Sequence, residues 1–308
     1  MESFENNKVS IIFRTLGVNK KNIERAIFSV FCSTYKEKEL VIVYQGNNGN
    51  EFESYVDYLR TIYGNEIDFK LCINSNYLED QRAKNINIGI NNASGRFICI
   101  LDDDDFIASK HYEELINLIK SEKYAWGYSI CMRNICDGDY IIKKENTYYF
   151  DYDHKEFLIS NFIPIHSFIV DRNAVLLNPE IIKTEESLTR LEDYFILLNL
   201  ASKYNPIINK KNGVFYNFQF TKEEDNKICE EYIIARKFIE TLKADLNNKI
   251  KVKNITIPKP NKSIFKILYR LLIISIYFSP FFGKKLFPKN RRVLKFVDDI
   301  SLSVKSKR

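Results

Sequence analysis

Four short apolar runs, rich in β-branched residues and separated by polar stretches, mark the first hundred positions of the chain. They predict buried strands over residues 9–13, 40–43, 69–73 and 97–101. The stretches between them are long enough for helical crossovers, so successive strands can pair in parallel. An α/β fold follows, with a Rossmann-like, mostly parallel central sheet flanked by helices.

Helical periodicity follows the first, third and fourth of these strands. After Asn19, a candidate N-cap, apolar residues recur at the spacing of one helix face as far as Phe31. Apolar spacing over residues 86–93 predicts a short helix before the fourth strand. Ser109 is a candidate N-cap for the helix that follows that strand.

Beyond about residue 124 the alternation of strands and helices breaks. Residues 128–132 and 140–142 flank Asp137-Gly138 in the manner of a hairpin. The other periodic stretches predict one strand and two helices, at 168–170, 191–201 and 223–246.

Charge is distributed unevenly along the chain. The 308 residues carry a formal +6, but residues 249–308 hold 16 Lys and Arg against two acidic residues, a net +14, so residues 1–248 carry −8. Pro258 and Pro260 lie near the start of the basic segment. We therefore expect one globular domain over residues 1–250 and a basic helical C-terminal extension over residues 251–308.

The positions of the cysteines and histidines bear on whether the chain holds a redox-active cysteine pair or a zinc site. The six cysteines form no CxxC pair and several lie within apolar runs, which predicts buried, reduced thiols. The three histidines are not closely spaced, which argues against a His/Cys zinc centre. The first residues do not resemble a signal peptide, so a cytoplasmic location is expected.

Four consecutive aspartates, Asp102 to Asp105, directly follow the fourth apolar run. In a parallel sheet, ligands bind beyond the carboxyl ends of the strands, where this cluster would lie. Adjacent carboxylates repel one another unless a cation neutralises them, and hard oxygen ligands favour Mg²⁺ or Mn²⁺. From the four aspartates alone, a solvated acidic loop that binds no cation remains the alternative interpretation.

Several ordered segments resemble the family 2 glycosyltransferases, nucleotide-sugar enzymes of the GT-A fold. VSIIFRT and AIFSVFCSTY resemble the opening strand and helix of that family. RAKNINIGINNASGRFICILDDDD resembles its segment leading into the DxD motif, and LEDYFILLNLA its Glu-Asp motif on a helix. The likeness covers about residues 9–205, with the pieces in the family's order. It makes residues 1–250 a catalytic domain of GT-A type.

The resemblance implies an inverting, metal-dependent transfer of a sugar from a nucleotide-diphosphate sugar to a glycan or lipid-linked glycan in surface polysaccharide biosynthesis. Asp104, with Asp102, would ligate Mn²⁺ or Mg²⁺, and Asp105 would stand behind them or at a helix end. Contacts to the nucleotide sugar are expected from residues at the strand ends and the DxD motif: Arg14, Thr15, Gln45, Arg82, Asp102 and Asp103.

The Glu-Asp motif implies the catalytic base. By resemblance, Asp193 would take the proton of the attacking acceptor hydroxyl, with Glu192 as its neighbour and as an acceptor or phosphate contact. Without the resemblance, the same two acids would simply favour a helix N-terminus. His166 is a further candidate for a phosphate or acceptor contact, with a structural histidine as the alternative.

The chain departs from the family at the end of the second strand. Val43 to Asn47 (VYQGN) replaces the common Val-Asp-Asp-Gly-Ser, and Gln45 stands where an aspartate usually reads the base. An amide both donates and accepts, so it could still bond a uracil or thymine edge. UDP- or dTDP-sugars are therefore favoured as donors, with GDP-sugars left open.

The basic extension is the other feature that predicts a partner. Its apolar stretch, 271–282, is short for a membrane-spanning helix and precedes a cluster of lysines and arginines. Such a segment suits an interfacial helix on an anionic leaflet, which would make the protein peripheral on the inner face of the cell membrane, near polyprenyl-linked acceptors. Packing on the catalytic domain or in a homodimer is the alternative; a nucleic-acid partner is not expected.

Competing functions differ in the motifs that they require. A phosphohydrolase would want Thr or Val after the aspartates, where Phe106 stands, and a nucleotidyltransferase would want a Gly-rich loop where the chain has Arg14 to Gly17. A degenerate nucleotide-sugar-binding or scaffold protein of a glycan assembly complex is the remaining alternative, suggested by Tyr44-Gln45. The presence of both the aspartate cluster and Asp193 argues against it.

Overall fold

The computed structural model describes residues 4–76, 78–137, 140–148, 151–219 and 233–244. Its first half alternates strands with helices, as the apolar pattern predicts. The elements are β1 (Glu5–Thr15), α1 (Lys20–Phe31), β2 (Lys38–Gln45), α2 (Gly49–Tyr63), β3 (Asp68–Asn74), α3 (Arg82–Asn92) and β4 (Gly95–Asp102). The N-cap prediction for Asn19 is confirmed, since its side chain accepts a hydrogen bond from the backbone N–H of Asn22.

The second half mixes strands with shorter helices. The elements are β5 (Phe106–Ile107), α4 (His111–Glu122), β6 (Trp126–Asp137), β7 (Tyr140–Tyr148), α5 (His154–Ile159), β8 (Phe168–Asp171), α6 (Glu192–Ala201), β9 (Ile207–Gln219) and a further helix, α7, over residues 233–244. Two short 3₁₀ turns cover Ile165–Ser167 and Pro179–Ile182. The predicted hairpin is confirmed, because β6 and β7 pair antiparallel.

The strands of the described chain join one sheet, in the order β3-β2-β1-β4-β8-β6-β9-β5 with β7 beside β6. β3, β2, β1 and β4 run parallel to one another. β8 then pairs antiparallel with both β4 and β6, and β9 runs parallel to β6. The expected parallel sheet is therefore its first half. The strand order reverses around β1, which is where a crevice opens in sheets of this kind.

Alternate residues of the central strands enter two separate apolar layers. Ile11 and Phe13 of β1 pack with α1, α2 and α4, whereas Ile12 packs on the opposite face with α3 and α6. Each such side chain is fully buried, and burial of this kind contributes roughly 1.5–3 kcal/mol per residue. Burial on both faces explains why these strands are continuous apolar runs in the sequence.

The register of the sheet places the polar strand ends side by side. Arg14 of β1 lies beside Asp102 of β4, and Gln45 of β2 lies beside Asn74 of β3. All four residues occur at the carboxyl ends of parallel strands. The sheet thus collects the candidate residues along one edge.

Two details of the predicted elements are wrong. α4 begins at His111, with Lys110 in the cap position and no side-chain cap bond, so Ser109 is not its N-cap. The Ser109 carbonyl instead accepts a hydrogen bond from the backbone N–H of Thr34. The whole of α2 was also missed, although its buried residues Phe52, Val56 and Leu59 recur at the spacing of one helix face.

The cysteine prediction is confirmed in part. None of the five described cysteines forms a disulfide, and Cys99, Cys131 and Cys136 are buried. Cys32 is exposed, however, because it follows the last turn of α1 instead of lying within the apolar face of that helix.

The C-terminal predictions fall largely outside the described residues. Residues 233–244 of the predicted helix 223–246 are helical. The boundary near residue 250 and the basic extension over 251–308 are not described, so the division into two domains stays a prediction. Within the described ranges, no helix is long and apolar enough to cross a membrane.

We predict that Gly89→Ala destabilises the fold. Gly89 of α3 lies so close to β1 that an added Cβ would overlap Cγ2 of Ile12. Overpacking of this kind costs about 1–3 kcal/mol of unfolding free energy. The higher helix propensity of alanine returns at most about 1 kcal/mol, so the net effect is destabilising. Urea denaturation measures the free energy of unfolding.

Gly49→Ala is the matched control, because its Cβ would lie 3.2 Å from the flexible, half-exposed Ile73 side chain. Its stability should stay within about 1 kcal/mol of the parent. In an Ile12→Ala background the cost of Gly89→Ala should fall. An equal cost in both backgrounds would show that the Ile12 contact is not the cause.

Candidate active site

Two adjoining cavities open at the carboxyl ends of the central strands. The first cavity has a volume of about 460 Å³ and includes the ends of β1, β2 and β4. The second cavity, of about 330 Å³, lies against α6 and the segment 161–166. Arg82, Asp102 and Asp104 line both cavities. Groups bound in the two cavities would therefore meet at the acidic segment.

Arg14 is buried at the junction of several elements. Its guanidinium donates to both carboxylate oxygens of Asp102, at 2.7 Å each, and to Oε1 of Glu192 at 2.7 Å. It also donates to the backbone carbonyl of Arg82 at 3.3 Å. The predicted nucleotide residue thus lines the first cavity, but four of its five N–H groups already donate to protein groups around the site.

The next two aspartates differ in their partners. Asp103 accepts a hydrogen bond from Oγ1 of Thr15 at 2.5 Å, and burial raises the pKa of its carboxyl group. The Asp104 carboxylate receives no hydrogen bond from another residue of the described chain. Burial, together with the charges of Asp102 and Asp103, raises the pKa of Asp104 to about 6. Its carboxylate is the member of the tetrad that lacks a compensating protein partner.

Asp105 is almost fully buried and lines the second cavity with Asp102 and Asp104. Its Oδ1 accepts a hydrogen bond from the backbone N–H of Asn217 at 2.8 Å, which ties the aspartate segment to β9. The alternative that placed Asp105 at a helix end is wrong, since α4 begins only at His111. Asp105 therefore anchors the segment to β9.

His166 lines the second cavity with very little of its ring exposed. Its Nδ1 lies 3.1 Å from Oδ2 of Asp105, and its ring stacks on that of Tyr216. Burial lowers the pKa of His166 to about 4, so the ring is neutral at neutral pH. A neutral ring offers a phosphate no ionic attraction.

Arg82 begins α3 and lies between the two cavities. Asp80 ion-pairs with it at 2.9 Å and also accepts a hydrogen bond from its backbone N–H at 3.1 Å. The guanidinium is thereby held at the junction while a third of the side chain stays exposed. The contact of Arg82 with the nucleotide stays a prediction; its pairing with Asp80 was missed.

Gln45 lies in the wall of the first cavity with its amide fully engaged on the protein side. Nε2 donates to the carbonyl oxygens of Asn76, at 2.9 Å, and of Glu79, at 2.6 Å. Oε1 accepts from Nδ2 of Asn85 at 2.8 Å. The sequence placed Gln45 in this cavity but did not indicate these partners.

Glu192 and Asp193 follow a strained residue at the start of α6. Leu191 adopts the left-handed conformation, with φ 61° and ψ 21°, which costs a non-glycine residue about 1 kcal/mol or more. Glu192 then turns inward to Arg14, whereas Asp193 lines the second cavity. Burial and the charge of Glu192 raise the pKa of Asp193 to about 7. Glu192 itself is not among the residues that line either cavity.

Asn161 is a site residue that no sequence pattern indicated. Its Nδ2 donates to Oδ2 of Asp193 at 2.9 Å, and its Oδ1 accepts from the backbone N–H of Ile163 at 2.9 Å. The second bond fixes the orientation of the amide, so that its N–H must face Asp193. The residue comes from a segment far from α6 in sequence, which is why spacing could not have found it.

The acidic cluster does not form a complete metal site by itself. Among the described residues, no group of three or more His, Cys, Asp or Glu side chains is arranged to hold a metal ion. Mg²⁺ usually takes one or two carboxylates and completes its coordination with water and substrate phosphates. The uncompensated Asp104 carboxylate beside Asp102 fits that incomplete donor set.

Comparison with known proteins gives one family. The model of the family described as glycosyl transferase family 2 matches residues 10–176, more than half of the chain. An uncharacterized glycosyltransferase of Methanocaldococcus jannaschii is 23% identical over 204 residues, 64% of this chain and 66% of that protein. The GalNAc(5)-diNAcBac-PP-undecaprenol beta-1,3-glucosyltransferase of Campylobacter jejuni is 30% identical over 125 residues, 41% of this chain and 38% of that protein.

Among solved structures, S. aureus TarS 1-349 in complex with UDP has a TM-score of 0.56 at 17% identity, covering 76% of this chain and 65% of that one. The same fragment in complex with UDP-GlcNAc has a TM-score of 0.53 at 16% identity, covering 70% and 59%. These likenesses confirm the expected fold. The chain spans less than two thirds of the length of each of these relatives.

We predict that Arg14→Met costs about 3–5 kcal/mol of unfolding free energy, because it leaves Asp102 and Glu192 at the buried junction without their counter-charge. Arg60→Met is the matched control, since Arg60 pairs with the exposed Asp57 and such pairs contribute about 0–1 kcal/mol. Urea denaturation measures the free energy of unfolding of both variants. Equal losses would show that the Arg14 network does not stabilise the fold.

Proposed function

Because the chain belongs to glycosyltransferase family 2, we propose that it transfers a sugar from a nucleotide-diphosphate sugar to a glycan or lipid-linked glycan, with inversion at the anomeric carbon. The observation that carries the proposal is the pair of adjoining cavities that share Arg82, Asp102 and Asp104. A donor in the first cavity and an acceptor in the second would meet at this shared segment, and Asp193 lines the acceptor side of it. Surface polysaccharide assembly is the proposed context.

The donor is proposed to be a UDP- or dTDP-sugar, with a GDP-sugar as the less favoured choice. Support comes from TarS, whose structures are described in complex with UDP and UDP-GlcNAc. Arg14, Thr15, Arg82 and the Gln45 segment form the polar wall that would hold the nucleotide. Asp103, bonded to Thr15, would hold the ribose or the donor sugar.

Asp104 is proposed as the main ligand of Mn²⁺ or Mg²⁺, with Asp102 beside it. The Asp102 carboxylate is already neutralised by Arg14, so it has less capacity left for a cation. When bound, such a cation would neutralise the diphosphate leaving group as a Lewis acid. Holding the ion next to Arg82 would keep both positive charges at the junction of the cavities.

Asp193 is proposed as the general base. As an acceptor oxygen bonds to the anomeric carbon, the bond from that carbon to the diphosphate oxygen breaks, and the nucleoside diphosphate leaves with the electron pair. The acceptor's proton passes to the Asp193 carboxylate. One displacement of this kind inverts the anomeric centre. Asn161 would keep the carboxylate oriented towards the acceptor by its bond to Oδ2.

The acceptor is proposed to be lipid-linked and to be reached at a membrane surface. The name of the Campylobacter jejuni relative specifies an undecaprenol diphosphate acceptor, which supports a lipid-linked acceptor here. The net +14 of residues 249–308 supports attraction to an anionic leaflet on the cytoplasmic side. A homodimer contact through the same segment is the alternative.

Asp104→Asn is expected to lower transfer by roughly two orders of magnitude, because Lewis-acid stabilisation contributes several kcal/mol. Chelation of divalent cations should produce the same loss in the parent protein, and Mn²⁺ or Mg²⁺ should restore it. Mass spectrometry of products from a panel of UDP-, dTDP- and GDP-sugars gives the measurement. Asp57→Asn on the exposed surface of α2 is the control and should keep full activity. Full activity of Asp104→Asn, or in the presence of chelator, would contradict the metal site.

Asp193→Asn should lower the single-turnover rate roughly 10²- to 10⁴-fold and leave UDP affinity unchanged, because the amide cannot accept the proton. In the parent, the rate should rise with pH through about 7 and level off above it. The sign follows from the raised pKa of about 7, since the base is protonated and inactive below it and ionised above it.

Rapid-quench measurements between pH 5.5 and 8.5 at saturating donor would give this profile. A rate that falls with pH over this range would contradict the base assignment. Donor binding by the parent protein without transfer to any acceptor would favour the scaffold alternative.

A further inference from the structure

The loop between β3 and α3, described at residues 75–76 and 78–81, is held against β2 by hydrogen bonds from the Gln45 side chain. The two hydrogens of the Gln45 Nε2 group donate to the carbonyl oxygens of Asn76 and Glu79, at 2.9 and 2.6 Å. Gln45 is only 5% exposed, so the protein has to supply most of the hydrogen-bond partners of its amide. Both donors of the amide are therefore used by the loop.

The orientation of this amide is set by two more buried amides. Asn85 of α3 donates from Nδ2 to Oε1 of Gln45 at 2.8 Å. Asn74, at the end of β3, donates from Nδ2 to Oδ1 of Asn85 at 2.7 Å. The Oδ1 of Asn74 accepts from the backbone N–H of Asn76 at 3.2 Å. Rotating any one amide by 180° would bring two oxygens or two N–H groups together, so the relay has one direction.

The fastened loop forms a wall of the first cavity. Leu78, Glu79 and Asp80 line it opposite the ends of β1 and β4. Asp80 also holds Arg82 at the junction of the cavities through the 2.9 Å ion pair. The position of the loop therefore controls both the width of the first cavity and the position of the Arg82 guanidinium at its edge.

We propose that Gln45, Asn74 and Asn85 form an amide clamp that positions the β3–α3 loop for binding the donor nucleotide. Within the clamp, Gln45 acts as a positioning residue and not as a donor of hydrogen bonds to the base. The inference rests on the proposed function in one respect only, the identity of the first cavity as the nucleotide site.

The clamp requires an amide at position 45. A carboxylate of the same shape would have no hydrogens to donate and would set its oxygens against the carbonyls of Asn76 and Glu79. The loop can therefore lie where it does only if position 45 carries hydrogen-bond donors.

Gln45→Glu tests the clamp with almost no change of side-chain volume. Hydrogen exchange of the loop amides in the free protein should become at least about tenfold faster, since both hydrogen bonds from Gln45 to the loop are lost. The Kd for UDP, measured by calorimetry, should rise by roughly tenfold or more. In turnover assays, KM for the donor should rise more than kcat falls, because the acceptor-side residues are untouched.

Gln81→Met is the matched control for Gln45→Met. It removes the same amide donor at the end of the same loop, but the Gln81 side chain reaches the Glu79 carboxylate at 3.4 Å and not a loop carbonyl. Loop exchange and UDP affinity should stay within about twofold of the parent. Gln45→Met removes the donors without adding a charge, so its loop exchange should match that of Gln45→Glu even if the glutamate variant folds poorly.

Two results would overturn the clamp. Unchanged loop exchange in Gln45→Met would show that the amide does not hold the loop, whatever the activity. Faster exchange with unchanged UDP affinity would show that the loop does not form the nucleotide subsite. Failure of the parent protein to bind UDP, dTDP or GDP would instead count against the proposed donor site, while the exchange comparison would still decide the clamp.

Discussion

The buried guanidinium of Arg14 is the constraint on which the site depends. A charge in the interior is tolerated only when partners surround it at hydrogen-bond distance. Here the partners come from three elements, Asp102 at the end of β4, Glu192 at the start of α6 and the Arg82 carbonyl at the start of α3. Each of these elements also carries a group that faces a cavity. Satisfying Arg14 therefore fixes the mutual positions of the acidic segment, the candidate base and the junction arginine.

The same arrangement leaves negative charge that Arg14 does not neutralise. Asp104 and Asp193 both lie where burial opposes ionisation and neighbouring carboxylates add to the effect, so the pKa values rise to about 6 and about 7. In the proposed reaction the two groups use this environment differently. Asp104 would be stabilised by a cation, whereas Asp193 would keep a pKa near the working pH of a general base. Burial of the two carboxylates costs folding free energy, and the same burial gives them the raised pKa values that the proposed reaction uses.

Much of the fold could be predicted because β1, β2 and β4 are buried on both faces and so stand out as apolar runs. The candidate residues at their ends could be predicted as well, since parallel strands bring their carboxyl ends to one edge. α2 was missed although the signal was present, since Phe52, Val56 and Leu59 recur at the spacing of one helix face. The pairing of β9 with β6 could not be predicted, because no pattern in one strand specifies its partner across about 70 intervening residues.

The sequence by itself determined the family, the parallel half of the sheet and the presence of acids at the ends of β4 and at the start of α6. Tertiary structure alone decided what each polar group touches. Gln45 was recognised in sequence as a change from acid to amide, but its hydrogens go to Asn76 and Glu79, more than thirty residues away. Asn161 likewise gained its relation to Asp193 only through folding. Periodicity reports which face of an element is buried, whereas a hydrogen bond needs two atoms within about 3 Å, and only the packed chain sets that distance.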